Sequence, residues 1–226
     1  MSVKIENFRE IIKELGEKVT LIAVSKLRTA EEINILYSLG HRDFGENYVQ
    51  ELVAKQPQLP GDIRWHFIGH LQTNKVKYIA PFVHLIHGVD SYKLLTEINK
   101  QAVLNNRIIK CMLQVHIATE ETKYGLSDDE LNVIIESLST LNSSTNLPNV
   151  AVCGLMGMAS LTDDINEVRG EFKHLYFLLD NASAKTKQPG FKELSMGMSA
   201  DYKIAVEEGS TMVRIGSLLF GERPAR

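Results

Sequence analysis

The stretch LIAVSKLRTAEEINILYSLG, residues 21–40, contains one complete strand-and-helix unit. Residues 21–24 form a short apolar run, which is typical of a strand covered on both faces. Thr29 and Glu32 then stand in the T-x-x-E spacing of a capping box, which starts a helix. Lys26 is therefore predicted at the C-terminal tip of an interior strand, where a lysine is either a solvated strand end or a reactive amine.

Runs with strand character recur along the chain, separated by segments with helix signals. After LIAVSK they are DFGEN (43–47), RWHFIG (64–69), HLIHGVD (84–90), IIKCMLQVHI (108–117), VAVCGLMGM (150–158), ELSMGM (193–198) and TMVRIGSLLF (211–220). Ser127 and Glu130 form a second capping box between two of these runs. Strand then helix, eight times, is typical of a (β/α)₈ barrel.

A doubly wound open sheet also alternates strands and helices, but it is expected to carry a phosphate-binding glycine loop after its first strand. LIAVSKLRTA (21–30) contains no glycine. We therefore predict the α/β class and a single-domain (β/α)₈ TIM barrel over residues 1–226. Residues 141–149, LNSSTNLPN, are predicted to be a polar loop.

The composition excludes several classes of function. The 226 residues are 44% hydrophobic and carry a formal net charge of −3, so the chain has no general attraction to nucleic acid or to an anionic membrane. Residues 3–15 have helical apolar spacing with charges between, unlike a signal peptide, and no apolar run reaches the length of a membrane span. Cys111 and Cys153 lie in apolar runs and are predicted to be buried free thiols of a cytoplasmic protein.

In a barrel of this kind, the chemistry lies where strands end and the following loops begin, and phosphates are commonly held after strands 7 and 8. Lys26 lies at one such end. Ser199 and the pair Gly216–Ser217 form small-residue turns at two others. Glycine lets backbone N–H groups approach an anion, and serine adds a hydroxyl donor, although each turn alone could simply cap a helix. The sequence thus predicts a lysine beside an anion site.

Six segments in this order resemble one family. They are VSK (24–26), FGENYVQE (44–51), HFIGHLQTNK (66–75), GLMGM (154–158), LSMGMSADYKIAVEEG (194–209) and STMVRIGSLLFG (210–221). The chain resembles the YggS/PROSC family of pyridoxal 5′-phosphate (PLP) homeostasis proteins, whose fold is similar to the N-terminal barrel of alanine racemase. The resemblance extends from about residue 20 to the end of the chain.

The resemblance implies a PLP-binding site. By position in the motifs, Lys26 looks like the lysine that forms a Schiff base with PLP, and Arg214 looks like the residue that faces the pyridine nitrogen. Ser199, Gly216 and Ser217 look like the phosphate site. The same motifs imply a pocket wall formed by Asn47 and by Met156 or Met158.

The chemistry of these residue types agrees with that assignment. A Schiff base needs a neutral amine, and burial beside a cation such as Arg214 lowers a lysine pKa from its ordinary value of about 10.4. A permanently charged arginine against the pyridine nitrogen disfavours protonation of that nitrogen, so the ring would be a poor electron sink. This argues against transamination and towards racemase-like chemistry or simple carriage of the cofactor.

The sequence favours a protein that buffers, delivers or protects PLP, with no catalytic residue assigned. A weak amino-acid racemase is the alternative; Lys26 could supply one base, but a second is not marked among Tyr48, Tyr124 and Tyr202, and in alanine racemases it comes from an added C-terminal domain for which the chain leaves no room. A third class is an aldolase-type barrel in which the lysine meets a sugar phosphate.

The implied partners are PLP and, as candidate recipients, PLP-dependent apo-enzymes, with the chain a monomer or a weak homodimer. No metal site is expected, since His66 and His70 are separated by a turn and His84 and His87 are predicted on opposite strand faces. Lys123 is a candidate for the pocket rim. Gln72–Lys75 is predicted to start a helix of unassigned role.

Overall fold

The strands predicted from the apolar runs close into a single barrel. The computed structural model describes residues 3–120, 124–139, 147–186 and 190–222. Its strands are β1 (Thr20–Val24), β2 (Asp43–Glu46), β3 (Arg64–Phe67), β4 (Leu85–Val89), β5 (Ile109–Gln114), β6 (Val150–Met156), β7 (Glu193–Met198) and β8 (Met212–Ile215). Each pairs in parallel with the next, and β8 pairs with β1. The predicted (β/α)₈ barrel is confirmed.

Helices precede the barrel and follow its strands. They are α1 (Ile5–Leu15), α2 (Ala30–Ser38), α3 (Val49–Lys55), α4 (Val76–Ile79), α5 (Tyr92–Leu104), α6 (Asp128–Ser139), α7 (Ile165–Lys185), α8 (Tyr202–Glu207) and α9 (Ser217–Phe220). A 3₁₀ turn over Thr73–Lys75 leads into α4, which confirms the predicted helix start there. Lys123 and residues 141–146 of the predicted polar loop lie outside the described residues.

The capping boxes begin helices as predicted. The Thr29 hydroxyl accepts a hydrogen bond from the backbone N–H of Glu32, whose carboxylate accepts from the N–H of Thr29 in return. Ser127 and Glu130 make the same reciprocal pair before α6. These side chains satisfy N–H groups that the first turn of a helix leaves without partners. The two boxes therefore fix where α2 and α6 start.

Several predicted strand runs are longer than the observed strands, and in the last one a helical turn replaces the end of the strand. The run 211–220 forms β8 only to Ile215, and Ser217–Phe220 is a helical turn in which the N–H of Phe220 donates to the carbonyl of Gly216 over 2.9 Å. Leu219 and Phe220 are both fully buried, and a helical turn directs both towards the core, where consecutive residues of a strand would point to opposite faces.

Two apolar regions hold the barrel together. The larger packs the outer faces of the strands against the helices, and the N-terminal helix contributes Phe8, Ile11 and Leu15 to it, as its amphipathic pattern predicted. A smaller cluster is formed by Leu85, Met112 and Met156. No helix within the described ranges is both long enough and apolar enough to span a bilayer.

Candidate cofactor site

The C-terminal ends of the strands surround a cavity of about 260 Å³. Its wall is built mainly from the residues that end β1, β2, β3, β6, β7 and β8 or follow them directly. They are Val24, Lys26, Asn47, Ile68, Met158, Met198, Ser199, Ala200, Arg214, Gly216 and Ser217. The structure thus brings together six of the seven residues predicted for the site: Lys26, Asn47, Ser199, Arg214, Gly216 and Ser217.

Met156 is the seventh, and the structure does not place it at this cavity. It is fully buried inside the barrel, where it packs with Leu85 and Met112. Met158 lines the cavity instead. Residues two apart on a strand point to the same side, so both methionines face inward, but Met156 ends β6 while Met158 lies beyond the strand, one layer nearer the mouth.

The backbone on both sides of Lys26 is held by side chains from the end of β2 and from α3. The Ser25 hydroxyl donates to Glu46 Oε1 over 2.6 Å, and the Ser25 carbonyl accepts from Lys55 Nζ over 2.7 Å. The N–H of Leu27 donates to Glu51 Oε1 over 2.5 Å. Leu27 has a φ of 61°, an uncommon left-handed conformation for a residue other than glycine. This turn sets the direction in which Lys26 leaves β1.

Lys55, on α3, is the centre of that arrangement. Its ammonium group donates to Glu46 Oε1 over 2.8 Å and to Glu51 Oε1 over 2.6 Å, in addition to the Ser25 carbonyl. Burial raises the pKa of Glu46, and the attraction of Lys55 opposes that effect. Glu46 Oε2 is buried and has no hydrogen-bond partner within the described ranges. Lys55 was not predicted from the sequence. The signal that could have found it is the (i, i+4) spacing of Glu51 and Lys55, which is typical of an ion pair on a helix.

Arg214 enters the cavity wall from inside the barrel. It is 4% exposed, and its guanidinium donates to the Ser195 carbonyl over 2.8 Å, the Ser195 hydroxyl over 2.7 Å and the Gly157 carbonyl over 2.9 Å. Burial lowers its pKa to about 10, and the charge of Asp201 opposes that effect. Arg214 is therefore a fixed cation at neutral pH.

The loops after β7 and β8 are joined at the cavity. The Ser199 hydroxyl accepts a hydrogen bond from the N–H of Gly216 over 3.2 Å. Asp201 Oδ1 accepts from the N–H of Met198 over 2.5 Å, which closes the turn that carries Ser199. The hydroxyl-bearing residues Ser199 and Ser217 thus stand on adjoining turns of the cavity wall, as expected for a group of donors to one anion.

Asn47 and the residues around it close one side of the cavity. Asn47 Oδ1 is buried without a hydrogen-bond partner in the part of the chain that the structure describes. A Cβ on Gly69 would lie 2.3 Å from the Asn47 carbonyl oxygen and 2.8 Å from its Cα, so glycine alone allows these strand ends to approach so closely. Ile68 and Met158 give the wall an apolar face.

The histidines of the described residues belong to no group of three or more side chains that could hold a metal ion. His84 and His87, which were predicted on opposite strand faces, both contact the ring of His66, with centroid distances of 5.3 and 5.2 Å. His84 precedes the first residue of β4, so the alternation of a regular strand does not apply to it. His70 instead stacks on Tyr124 at 4.3 Å.

Comparison with known proteins identifies the family. Residues 5–224 match the family described as "Alanine racemase, N-terminal domain". The chain is 42% identical to the pyridoxal phosphate homeostasis protein of Aquifex aeolicus, over 90% of this chain and 86% of that one. The chain belongs to the pyridoxal phosphate homeostasis protein family. The resemblance inferred from the motifs is confirmed.

Two further members of this family agree in sequence and structure. The pyridoxal phosphate homeostasis protein of Homo sapiens is 40% identical, over 90% of this chain and 76% of that one. The structure of PipY from Synechococcus elongatus with PLP bound is 36% identical and superposes with a TM-score of 0.86, over 96% of this chain and 99% of that chain. The predicted family fold therefore extends over nearly the whole chain.

Proposed function

We propose that this chain binds PLP through a Schiff base with Lys26 and takes part in PLP homeostasis by buffering, delivering or protecting the cofactor. The observation that carries the proposal is the cavity at the barrel mouth, which brings the Lys26 amine together with the Arg214 guanidinium and the Ser199 and Ser217 hydroxyls. PipY, which shares the fold at 36% identity, has been solved with PLP bound.

The residues of the cavity fit each part of PLP. The aldehyde needs an amine, which Lys26 supplies, and the phosphate needs donors, which the serine hydroxyls and the backbone of Gly216–Ser217 supply. The ring needs an apolar wall, and Ile68 provides one face of it. Asn47 Oδ1, which lacks a partner within the described ranges, is an acceptor available to a polar substituent of the ring.

The chain's own groups hold and orient the cofactor. Lys26 would hold PLP through the aldehyde carbon, where a C=N bond to the lysine nitrogen would replace the C=O bond with loss of one water. When bound, PLP supplies a carbonyl equivalent that a recipient's lysine can capture in turn. The contacts of Ser25 and Leu27 fix the start of the Lys26 side chain, and Arg214 presents a fixed positive charge to the cavity. We assign Arg214 to the pyridine nitrogen.

We assign no catalytic residue. Tyr202, one of the tyrosines that could have served as a second base, is 6% exposed and donates its hydroxyl proton to Glu14 of α1 over 2.8 Å. That contact engages its hydroxyl at the N-terminal helix. We further propose that residues 1–226 act as one cofactor-binding unit in the cytoplasm, as a monomer or a weak homodimer, and pass PLP to PLP-dependent apo-enzymes.

The deciding experiment is a visible absorption spectrum of the purified chain with PLP, before and after borohydride. We expect a band that borohydride removes, and a peptide map that places the reduced cofactor on Lys26. Lys26→Ala should lack the band. Lys100→Ala, which removes an exposed lysine of α5, is the matched control and should keep it. A wild-type chain that gains no band in excess PLP would overturn the proposal.

Delivery requires a separate measurement. The loaded chain is mixed with a PLP-dependent apo-enzyme in the presence of a scavenger of free PLP, and recovery of the enzyme's activity is followed. We expect recovery to be faster than with the same amount of free PLP, because the scavenger captures only unbound cofactor. Equal recovery rates would contradict delivery and leave buffering or protection as the function.

A further inference from the structure

A continuous row of buried polar side chains crosses the barrel interior. Arg214 donates to the Ser195 hydroxyl over 2.7 Å, and Ser195 Oγ lies 2.9 Å from His87 Nδ1. His87 Nε2 lies 3.0 Å from His66 Nδ1, and His66 Nε2 lies 3.0 Å from Asp43 Oδ1. All of these residues are less than 9% exposed. We call these five residues the interior chain.

The interior chain connects the two ends of the barrel. Arg214 lines the cavity at the mouth, whereas Asp43 is the first residue of β2 and lies at the opposite end. There Asp43 accepts from Arg64 Nε over 2.7 Å, so the carboxylate also has a cation at the closed end. Buried polar groups without hydrogen-bond partners would lower the stability of the fold. The cavity alone does not require polar groups at this depth, so the presence of the row calls for a separate explanation.

The donors and acceptors allow one direction only. An ionised carboxylate cannot donate, so a neutral His66 must carry its proton on Nε2, facing Asp43, and this fixes the direction of the other contacts. Ser195 accepts from Arg214 and donates its proton to His87 Nδ1. His87 then carries its proton on Nε2 and donates to His66 Nδ1, and His66 donates from Nε2 to Asp43. In the opposite direction, the unprotonated Nε2 of His66 would face the Asp43 carboxylate, and two acceptors would repel each other.

The ionisation states agree with this direction. Burial lowers the pKa of His66 and lowers that of His87 well below its ordinary value, so both imidazoles are neutral at neutral pH. Burial acts to raise the pKa of Asp43, but hydrogen bonds from Arg64 and His66 lower it well below its usual range. A cation and a carboxylate are therefore joined by three neutral groups whose dipoles all point the same way.

We propose that the interior chain is a positioning device for Arg214, in which Ser195, His87, His66 and Asp43 fix the guanidinium against the bound cofactor ring. The direction of the chain stands on these contacts together with the neutral state of both imidazoles, while its role towards the cofactor rests on the proposed function. The Ser195 hydroxyl is the link that orients the guanidinium, and Asp43 is the acceptor that holds both imidazoles in one tautomer.

The first test needs neither a variant nor the cofactor. Nitrogen-15 NMR of the histidine rings in the full wild-type chain at neutral pH reports the tautomer and charge of each ring. We expect His66 and His87 to be neutral with the proton on Nε2. A proton on Nδ1 of either ring, or a charged ring, would overturn the proposed direction.

The second test measures PLP binding. Ser195→Ala and Asp43→Asn should each weaken binding by about tenfold, because one hydrogen bond to a charged group is lost or weakened in each. Both should also shift the absorption band of bound PLP. Ser210→Ala is the matched control: Ser210 is a buried serine between β7 and β8 whose hydroxyl contacts backbone carbonyls of these strands, and loss of the hydroxyl should leave the band unshifted.

The outcomes are distinguishable. If the wild-type chain fails to bind PLP, the proposed function fails, and with it the role of the chain towards the cofactor. If the wild-type chain binds PLP but Ser195→Ala and Asp43→Asn behave as Ser210→Ala does, the positioning role is overturned. If a variant does not fold, the wild-type tautomers still decide the direction on which the role depends.

Discussion

The ammonium group of Lys55 donates a hydrogen bond to the carbonyl oxygen of Ser25, the residue before Lys26, over 2.7 Å. Lys55 lies on α3 and Ser25 follows β1, so the contact joins two units of the barrel that are 30 residues apart in sequence. The same ammonium group holds Glu46 and Glu51, which contact the hydroxyl of Ser25 and the N–H of Leu27. The buried Lys55 thus positions the backbone on both sides of Lys26.

Lys55→Met should disturb both stability and the site. It leaves the fully buried Glu46 without its cation, and removing one partner of a buried pair typically costs about 3–5 kcal/mol in the free energy of unfolding. Lys26 should also be less well placed, so a smaller fraction of the chain should be labelled by borohydride at equal PLP. Urea unfolding and quantitative mass spectrometry measure the two effects.

Lys203→Met is the control for that prediction. Lys203 is also paired with a glutamate, Glu14, but both side chains are exposed, and solvent screening leaves such pairs with little effect on stability. We expect normal labelling of Lys26 in this variant. Equal losses in the two variants would show that the position of Lys55, between α3 and β1, has no special role.

Gly69→Ala should distort the cavity wall at Asn47. The new Cβ would meet the Asn47 backbone at 2.3 Å, closer than real Cβ contacts, and backbone cannot rotate away as a side chain can. We expect a loss of about 1–3 kcal/mol in the free energy of unfolding and weaker PLP binding. Gly61→Ala is the control, since a Cβ there meets nothing within 4 Å. Wild-type affinity in Gly69→Ala would contradict the prediction.

The fold and most of the candidate site could be predicted because the signals are local. Short apolar runs marked the strands, the Thr29–Glu32 pair marked a helix start, and barrel topology alone brings strand ends together. Residues such as Lys26 and Ser199 needed only their place at a strand end. The sequence left Met156 and Met158 as alternatives, and only Met158 lines the cavity, because the depth of a side chain inside a barrel depends on where its strand stops.

The contacts that support the site were beyond the reach of the sequence. Ser195 and His87 are 108 residues apart, and they meet only because the strands close into a barrel with one particular register. The sequence shows each as a polar residue in an apolar run, and such a residue is equally consistent with a solvated strand face. Lys55 and Ser25, 30 residues apart, meet for the same reason.

Acid should destabilise the chain through His41. Burial lowers its pKa to about 4, while its hydrogen bond to the Asp43 carbonyl opposes the shift. Between pH 6.5 and pH 4, His41 is therefore protonated in the unfolded chain but neutral in the folded chain. Stability from this residue is therefore present above pH 6.5 and is lost as the pH falls towards 4, by up to about 3 kcal/mol.

His41→Gln isolates that contribution. Glutamine keeps a hydrogen-bond donor but does not titrate in this range, so the other ionisable groups, including the buried Glu46, contribute equally to both proteins. Urea unfolding between pH 7 and pH 4.5 should show a smaller loss for the variant than for the wild type. Parallel pH profiles would mean that the His41 pKa is not lowered in the folded chain.

Cys111 and Cys153, both free thiols, should be unreactive in the folded chain. Cys111 is fully buried, and burial raises its pKa well above the ordinary value. Burial, reinforced by the charge of Glu193, raises the pKa of Cys153 to about 12, so almost no thiolate exists at pH 8. A chromogenic disulfide reagent at that pH should therefore detect no thiol in the native chain and two in denaturant. In denaturant, Cys111→Ala and Cys153→Ala should each show one reactive thiol. Fast labelling of either thiol in the native chain would contradict the prediction and would show that β5 and β6 open at this site.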